Sequence, residues 1–129
     1  MIIREYADAD IDALRAMHAA QGFAYALPDP ANPLFLIRAI VEDEGRPRMA
    51  ALLRLTCEAY LLADPRDGSP SQSWQWLLAL HDATRQAAAA RGLDDAQAFL
   101  PPRVARAFGR RLARLGWRRD AWACYTRQL

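Results

Sequence analysis

The sequence predicts an α/β fold, in which helices cover both faces of a mixed β-sheet, as a single domain over residues 1–129. Its 129 residues suit one domain, and its 53% apolar and 25% charged residues are ordinary for a globular protein. Patterns of strands joined by hairpins fill the first half, and strand–helix–strand patterns fill the second half. A mixed sheet satisfies that order of elements.

The N-terminal quarter predicts one strand and one helix. The strand begins at Ile2 and ends by Tyr6, and the side chain of Asp8 or Asp10 is expected to cap the helix. Gly22 ends this helix. Its single apolar face follows from residues at helical spacing, namely Ile11, Leu14, Met17 and His18.

Three strands are predicted in the middle of the chain. Residues 24–33 contain three prolines and form an extended loop, after which residues 34–41 are rich in branched apolar side chains. The polar turn at 42–47 holds the glycine that a tight hairpin needs. The second and third strands are expected at residues 48–57 and 58–63.

The second half alternates helices and strands. Ser71 or Ser73 is expected to cap a long helix that runs to about residue 91. Pro101-Pro102 marks the start of the last helix, which runs to about Leu115 with Val104, Phe108 and Leu112 inward. Short strands are predicted at 96–100 and 121–127. The order is β-α-β-β-β-α-β-α-β.

Four segments of the chain carry a family resemblance. Ile3-Arg4 followed by Asp8-Ala9-Asp10-Ile11 opens it, and Leu61–Pro65 is similar to the end of a fourth strand. Leu112–Trp117 and Trp122–Leu129 are similar to the last helix and the final strand. In this order they resemble the GNAT N-acetyltransferases, and Phe108–Trp117 also resembles small phage-encoded GNAT-like proteins. The resemblance implies a GNAT-like domain over the whole chain.

That resemblance implies acetyl-CoA as the cofactor. Leu62 and Ala63 would hold its pantetheine where the backbone splays. The loop before the long helix would hold its pyrophosphate, because backbone N–H groups and a helix N-terminus suit phosphate. Serines stand here where the family has glycines, and Pro70 donates no N–H. The residues at the corresponding loop positions are Gly68, Ser69, Ser71 and Ser73.

The resemblance also implies N-acetylation of an amine on a small molecule or a protein. Glu58 lies where several GNATs keep a general base, and partial burial would raise the pKa of its carboxyl group. The tyrosine that often acts as general acid falls at Leu112, which cannot give a proton. Tyr125 on the final strand is one substitute, and Tyr60, on the same face as Glu58, is another.

Two further interpretations stay open beside the enzyme. One is a GNAT-fold binding or structural module without catalysis. The other is a polyanion-binding protein, because residues 103–119 hold seven arginines. A solvated helix face is the favoured interpretation of these arginines, and nucleic acid or the 3′-phosphate of coenzyme A is the alternative. Trp74 and Trp76 cannot both face inward, which favours a partner surface such as a homodimer.

The remaining sequence features concern the location of the protein, its thiols and metal binding. No run of about 18 apolar residues is present, so we expect no membrane contact and a cytoplasmic protein. Cys57 and Cys124 are expected as buried free thiols. His18 and His81 are expected to pack on apolar helix stripes, each with one satisfied hydrogen bond, and no metal site is predicted.

Overall fold

The structure, a computed structural model that describes residues 1–129, is an α+β fold with three α-helices and a small antiparallel sheet. The chain divides into two compact units, Met1–Gln97 and Ala98–Leu129. The first unit holds all the strands and two of the helices, and the second holds the last helix. The single GNAT-like domain stays a prediction.

The antiparallel sheet is built from strands β1 (Ile2–Glu5), β2 (Phe35–Asp43) and β3 (Arg46–Arg54), with β2 in the middle. β2 and β3 form the predicted hairpin. Its turn residues Glu44 and Gly45 have φ values of 53° and 71°. Two consecutive positive φ values are typical of a type I′ turn, whose twist matches that of the strands.

The core lies between this sheet and helix α1 (Ile11–Gln21) with the loop after it. Ile40 on β2 is fully buried, and Leu14 on α1 is 3% exposed. Leu34 and Phe35, where the loop enters β2, complete the buried apolar set. α1 ends at Gly22, whose φ of 69° is the left-handed conformation expected of a C-terminal glycine.

Arg4 joins the start of the first helical segment to the sheet. Its guanidinium donates two hydrogen bonds to Asp10, at 2.7 and 2.8 Å, and one to Glu42 on β2, at 2.6 Å. The pairing with Arg4, and a bond from the Ala7 N–H, lower the pKa of Asp10 to about 2. Asp10 is the N-cap residue of α1, one of the two predicted positions, but its side chain makes no capping hydrogen bond to that helix, so this part of the prediction is wrong.

Two short strands lie apart from the antiparallel sheet. β4 (Cys57–Glu58) pairs in parallel with β5 (Ala96–Gln97). The predicted strand at 58–63 is wrong beyond Glu58, because no second strand pairs with residues 60–63. The strand predicted at 96–100 also ends early, at Gln97. The sheet predicted as one mixed unit is therefore two sheets.

Helix α2 (Pro70–Ala90) connects these two parallel strands. Its start at Pro70 confirms the predicted start near Ser71, and Gly92 follows its end with a φ of 79°. Trp74 is half-buried and Trp76 is 54% exposed. The expectation that only one of them could face inward is thereby confirmed.

The second unit consists of helix α3 (Pro102–Arg114) and an irregular C-terminal segment. The arginines of α3 are exposed, as predicted, but its apolar side chains are less buried than predicted. Val104 is 42% exposed, and Phe108 and Leu112 are half-buried. The final strand predicted at 121–127 is absent, because alternating large and small residues make a strand only beside a hydrogen-bonding neighbour.

Candidate functional site

The parallel pairing of β4 and β5 is the centre of the candidate site. Cys57 lies opposite Ala96 and Glu58 opposite Gln97. The Ala59 N–H donates a further bond of 2.7 Å to the Gln97 carbonyl, and no backbone hydrogen bond joins the two segments beyond it. The backbone of residues 60–63 therefore leaves its polar groups available after the strands part.

Salt bridges connect the two chain segments that lead into this strand pair. Arg54, the last residue of β3, is 26% exposed at its side chain and forms salt bridges with Asp94 and Asp95, just before β5. These bonds raise the pKa of the Arg54 guanidinium. The Cys57 thiol donates a hydrogen bond of 3.0 Å to the Asp95 carbonyl. These contacts hold the start of β4 beside residues 94–95, which lead into β5.

Glu58 and Tyr60 are two residues apart at the end of β4. The Glu58 carboxylate is the main reason that the pKa of the Tyr60 hydroxyl is raised. Ionising the phenol would place a second negative charge near this carboxylate. Both side chains are exposed, so Glu58 lacks the partial burial that its predicted role as a base would use.

Leu62 and Ala63, the residues assigned to pantetheine, lie in the irregular segment after β4. The Leu62 side chain is 92% exposed, and Ala63 is exposed as well. Neither residue makes a backbone hydrogen bond. The two residues belong to an exposed, irregular segment and not to the end of a strand.

The loop before α2 is shaped by Gly68 and Trp76. Gly68 has a φ of 72°, and a Cβ atom on it would lie 2.7 Å from Cη2 of the Trp76 ring. Only glycine fits at this position. Earlier in the loop, the Asp64 carboxylate accepts hydrogen bonds from the Arg66 backbone and guanidinium, which lower the pKa of Asp64.

Ser69, and neither Ser71 nor Ser73, caps α2. Its hydroxyl accepts a bond of 3.2 Å from the Gln72 N–H, and its own N–H donates 2.8 Å to the Gln72 side-chain oxygen. This reciprocal arrangement is a capping box. Ser73 N–H bonds to the Ser69 carbonyl, and Pro70 has no N–H. The Ser71 N–H is the first-turn donor left for an anion, beside the Ser71 hydroxyl, whereas the Ser73 hydroxyl donates a bond of 3.5 Å to the Asp67 carbonyl.

Tyr125 lies in the second unit, in the irregular segment after α3. Its side chain is 94% exposed. The position on a strand from which a catalytic role was predicted does not exist. The neighbouring Cys124 is exposed, which corrects its predicted burial, whereas Cys57 is half-buried, and both thiols are free.

The two histidines do not contribute to a metal site. His18 packs edge-on against the Tyr25 ring, with 5.1 Å between ring centroids, and its buried Nε2 has no hydrogen-bond partner. The one satisfied bond predicted for it is therefore missing at that atom. No group of three or more histidine, cysteine or acidic side chains is arranged to hold a metal ion.

Sequence reasoning missed two features. One is a shallow cavity of about 380 Å³ beside β1 and β2, lined by residues that include Ile3, Glu5 and Ile37. The other is the exposure of aromatic side chains beside arginines in the C-terminal segment, where Trp122 is 62% exposed. The alternation of arginine and aromatic residues from 117 to 127 was the signal available in the sequence.

Comparison with protein-family models, with curated proteins and with solved structures finds no match for this chain. None of its helices combines the length and the apolar character needed to cross a membrane.

Proposed function

We propose that the chain is a GNAT-type N-acetyltransferase that takes its acetyl group from acetyl-CoA. The observation that carries the proposal is the parallel pair β4–β5, joined by the crossover helix α2 and parting after Ala59. In the family that the sequence resembles, strands that splay in this way hold the pantetheine. The order of a strand, a helix, an antiparallel hairpin and this pair supports the same topology.

The residues beyond the parting point fit the cofactor by their chemistry. Residues 60–63 form an extended segment whose backbone groups can bond to the amides of a pantetheine. At the start of α2, the N–H and hydroxyl of Ser71 suit the pyrophosphate, and the positive end of the helix dipole favours its charge. Fewer backbone donors are present than in a glycine-rich loop.

Bound acetyl-CoA supplies an activated thioester carbonyl to the reaction. In its transfer to an amine, a C–N bond would form as the C–S bond breaks, so one proton must leave the amine and one must reach the thiolate. Glu58 would take the proton that the amine loses. Tyr60 would give a proton to the leaving thiolate.

Calorimetric titration with acetyl-CoA tests the proposal. Wild type is compared with Ser73→Glu, which places a carboxylate at the pyrophosphate position. The same charge is placed further along α2 by the control Ala87→Glu, about 21 Å away at 1.5 Å per residue. We expect Ser73→Glu to weaken binding about tenfold or more, and Ala87→Glu to bind as wild type does. Absence of binding to wild type at millimolar acetyl-CoA would refute the proposal.

A binding module without catalysis is the second candidate, and the α2 loop is the observation that favours it. The Trp76 ring covers Gly68, and Pro70 and the capping box remove two first-turn donors. Release of free coenzyme A thiol in the presence of a panel of amines separates the two functions. Acetyl-CoA binding without thiol release from any amine, in wild type and Glu58→Gln alike, would favour the module.

A further inference from the structure

The second unit concentrates positive charge. Residues 98–129 contain eight arginines and one acidic residue, Asp120. Every salt bridge in the structure lies in residues 1–97. The arginine side chains of α3 are all exposed. Such a surface attracts anions and raises their local concentration.

The arginines of α3 form a stripe rather than a ring. At about 100° per residue, Arg103, Arg106, Arg110 and Arg114 fall within about 80° of one another, over an axial length of about 16 Å. The helix carries no acidic residue. The positions beside the stripe are small, namely Ala107, Gly109 and Ala113, so a polyanion can approach the helix closely.

The C-terminal segment adds aromatic side chains to this charge. Tyr125 is 94% exposed and Trp122 is 62% exposed. Arg118 and Arg119 precede them and Arg127 follows them, and all three are exposed. Exposed aromatic rings interleaved with arginine are typical of surfaces that stack the bases of a single strand while binding its phosphates.

We propose that the second unit binds single-stranded nucleic acid without sequence preference. The arginine stripe, defined as Arg103, Arg106, Arg110 and Arg114, binds the phosphates. Tyr125 and Trp122 stack on bases. This inference rests on the charge and aromatic exposure of residues 98–129 and is independent of acetyl-CoA binding.

Two other polyanions fit these observations less well. In a duplex the bases already stack on each other, so exposed rings outside the helix gain little from it. An anionic membrane would need the apolar side of α3 free to insert. The Arg111 guanidinium instead lies over the Phe108 ring, 5.7 Å from its centroid, and Leu112 is half-buried.

The first test measures the contribution of the stripe by fluorescence anisotropy with a labelled 15-nucleotide single strand. Neutralising about four phosphates predicts a slope of about −2.8 for log K against log salt, so raising salt from about 50 to about 200 mM weakens binding about 50-fold. Changing all four stripe arginines to glutamine should abolish most of this salt dependence.

The matched control removes the same charge from the first unit. Arg15, Arg48, Arg66 and Arg85 are exposed arginines that each form a salt bridge. Changing all four to glutamine alters the net charge by the same amount as the stripe variant. We expect this variant to keep the wild-type salt slope.

The second test isolates stacking. Tyr125→Ala leaves every arginine in place and should weaken single-strand binding about tenfold, because stacking on an aromatic ring contributes about 1–3 kcal/mol per base. Tyr25→Ala, at a 49% exposed tyrosine of the first unit, should leave the affinity unchanged. The variants are compared at equal helix content by circular dichroism.

Four results would overturn the proposal. They are an equal loss of affinity in the two quadruple variants, unchanged binding in Tyr125→Ala, tighter binding to a duplex of the same length than to the single strand, and binding to phosphatidylserine vesicles but not to the strand. Tighter binding to the strand, lost with the stripe and weakened by Tyr125→Ala, would support it.

Discussion

The two units of this chain use the same cation in opposite ways. In residues 1–97, seven arginines form salt bridges, and Arg4 and Arg54 each join two acidic residues. Residues 98–129 contain eight arginines and one acidic residue. Arginine is always charged and can bond two carboxylates or two phosphates at once. The first unit thus uses arginine to hold its own structure, while the arginines of α3 are exposed.

The largest expected difference between the units concerns burial. Ile40→Ala, at a side chain with no exposure, should lower the free energy of unfolding by about 3 kcal/mol, because it removes buried methyl groups and leaves a cavity. Leu112→Ala on α3, where the side chain is half-buried, should cost about 1 kcal/mol. Urea unfolding followed by circular dichroism measures both. Equal losses would mean that α3 is as well packed as β2.

The second prediction concerns Asp10 and pH. Its pKa of about 2 in the folded state lies below the ordinary value of 3.8, so its stabilising effect is complete above about pH 4 and is lost as pH falls toward 2. A shift of this size corresponds to about 2 kcal/mol. Asp10→Asn should therefore lower stability by about 2 kcal/mol at pH 7 and flatten its pH dependence between about pH 4 and 2.

The control for Asp10 lies two residues further along. Asp12 pairs with Arg15, but its side chain is 88% exposed. Asp12→Asn removes the same charge and should change stability by no more than about 0.5 kcal/mol, because exposed ion pairs contribute little. If both substitutions had the same effect, the Arg4 contacts would not be the cause.

A pair of glycine substitutions is expected to act in opposite directions. Gly45→Ala meets no atom within 4 Å, but its φ of 71° is unfavourable for alanine, so stability should fall by about 1 kcal/mol. Gly109→Ala also meets no atom within 4 Å, and it lies inside α3 with no positive φ. Alanine there should stabilise the helix by up to about 1 kcal/mol. Thermal unfolding monitored at 222 nm compares the two.

The smallest expected effect compares a paired with an unpaired arginine. Arg54→Gln removes the bonds to Asp94 and Asp95 and should cost up to about 1 kcal/mol. Arg110→Gln removes repulsion from Arg106 and Arg114, four residues away on either side, and should raise stability by a few tenths, about 0.3 kcal/mol. Differential scanning calorimetry at low ionic strength resolves such differences. A loss of stability in Arg110→Gln would show that this arginine supports the fold.

The features predicted correctly from the sequence were those that depend on residues close together in the chain. The turn at Glu44-Gly45 and the ends of α1 and α2 follow from local conformational preferences, and they were located within a few residues. A strand at 58–63 was predicted as well, and one at 121–127 was predicted from the alternation of large and small residues. Alternation shows that a segment could lie in a sheet, but a strand exists only where another strand accepts its hydrogen bonds.

The candidate site likewise contains one feature that the sequence predicted and two contacts that it did not. The spacing of Glu58 and Tyr60 predicted side chains on one side of the backbone, and the Glu58 carboxylate raises the pKa of Tyr60. The choice of Ser69 as cap depended on the side chain of Gln72, and the position of Trp76 over Gly68 depended on how the loop turns. Neither contact has a pattern of its own in the sequence.

The parallel pair also bears on the order in which the chain folds. Cys57 and Ala96 are 39 residues apart, and the contacts of only two residue pairs offset the entropy lost when that loop closes. The β2–β3 hairpin closes through two turn residues and gains many more pairs. The hairpin should form early, and the β4–β5 contact should form late and open often. In native-state hydrogen exchange, the Ala59 amide should lose its protection well before that of Ile40, so its exchange rate reports how often α2 and its flanking strands detach.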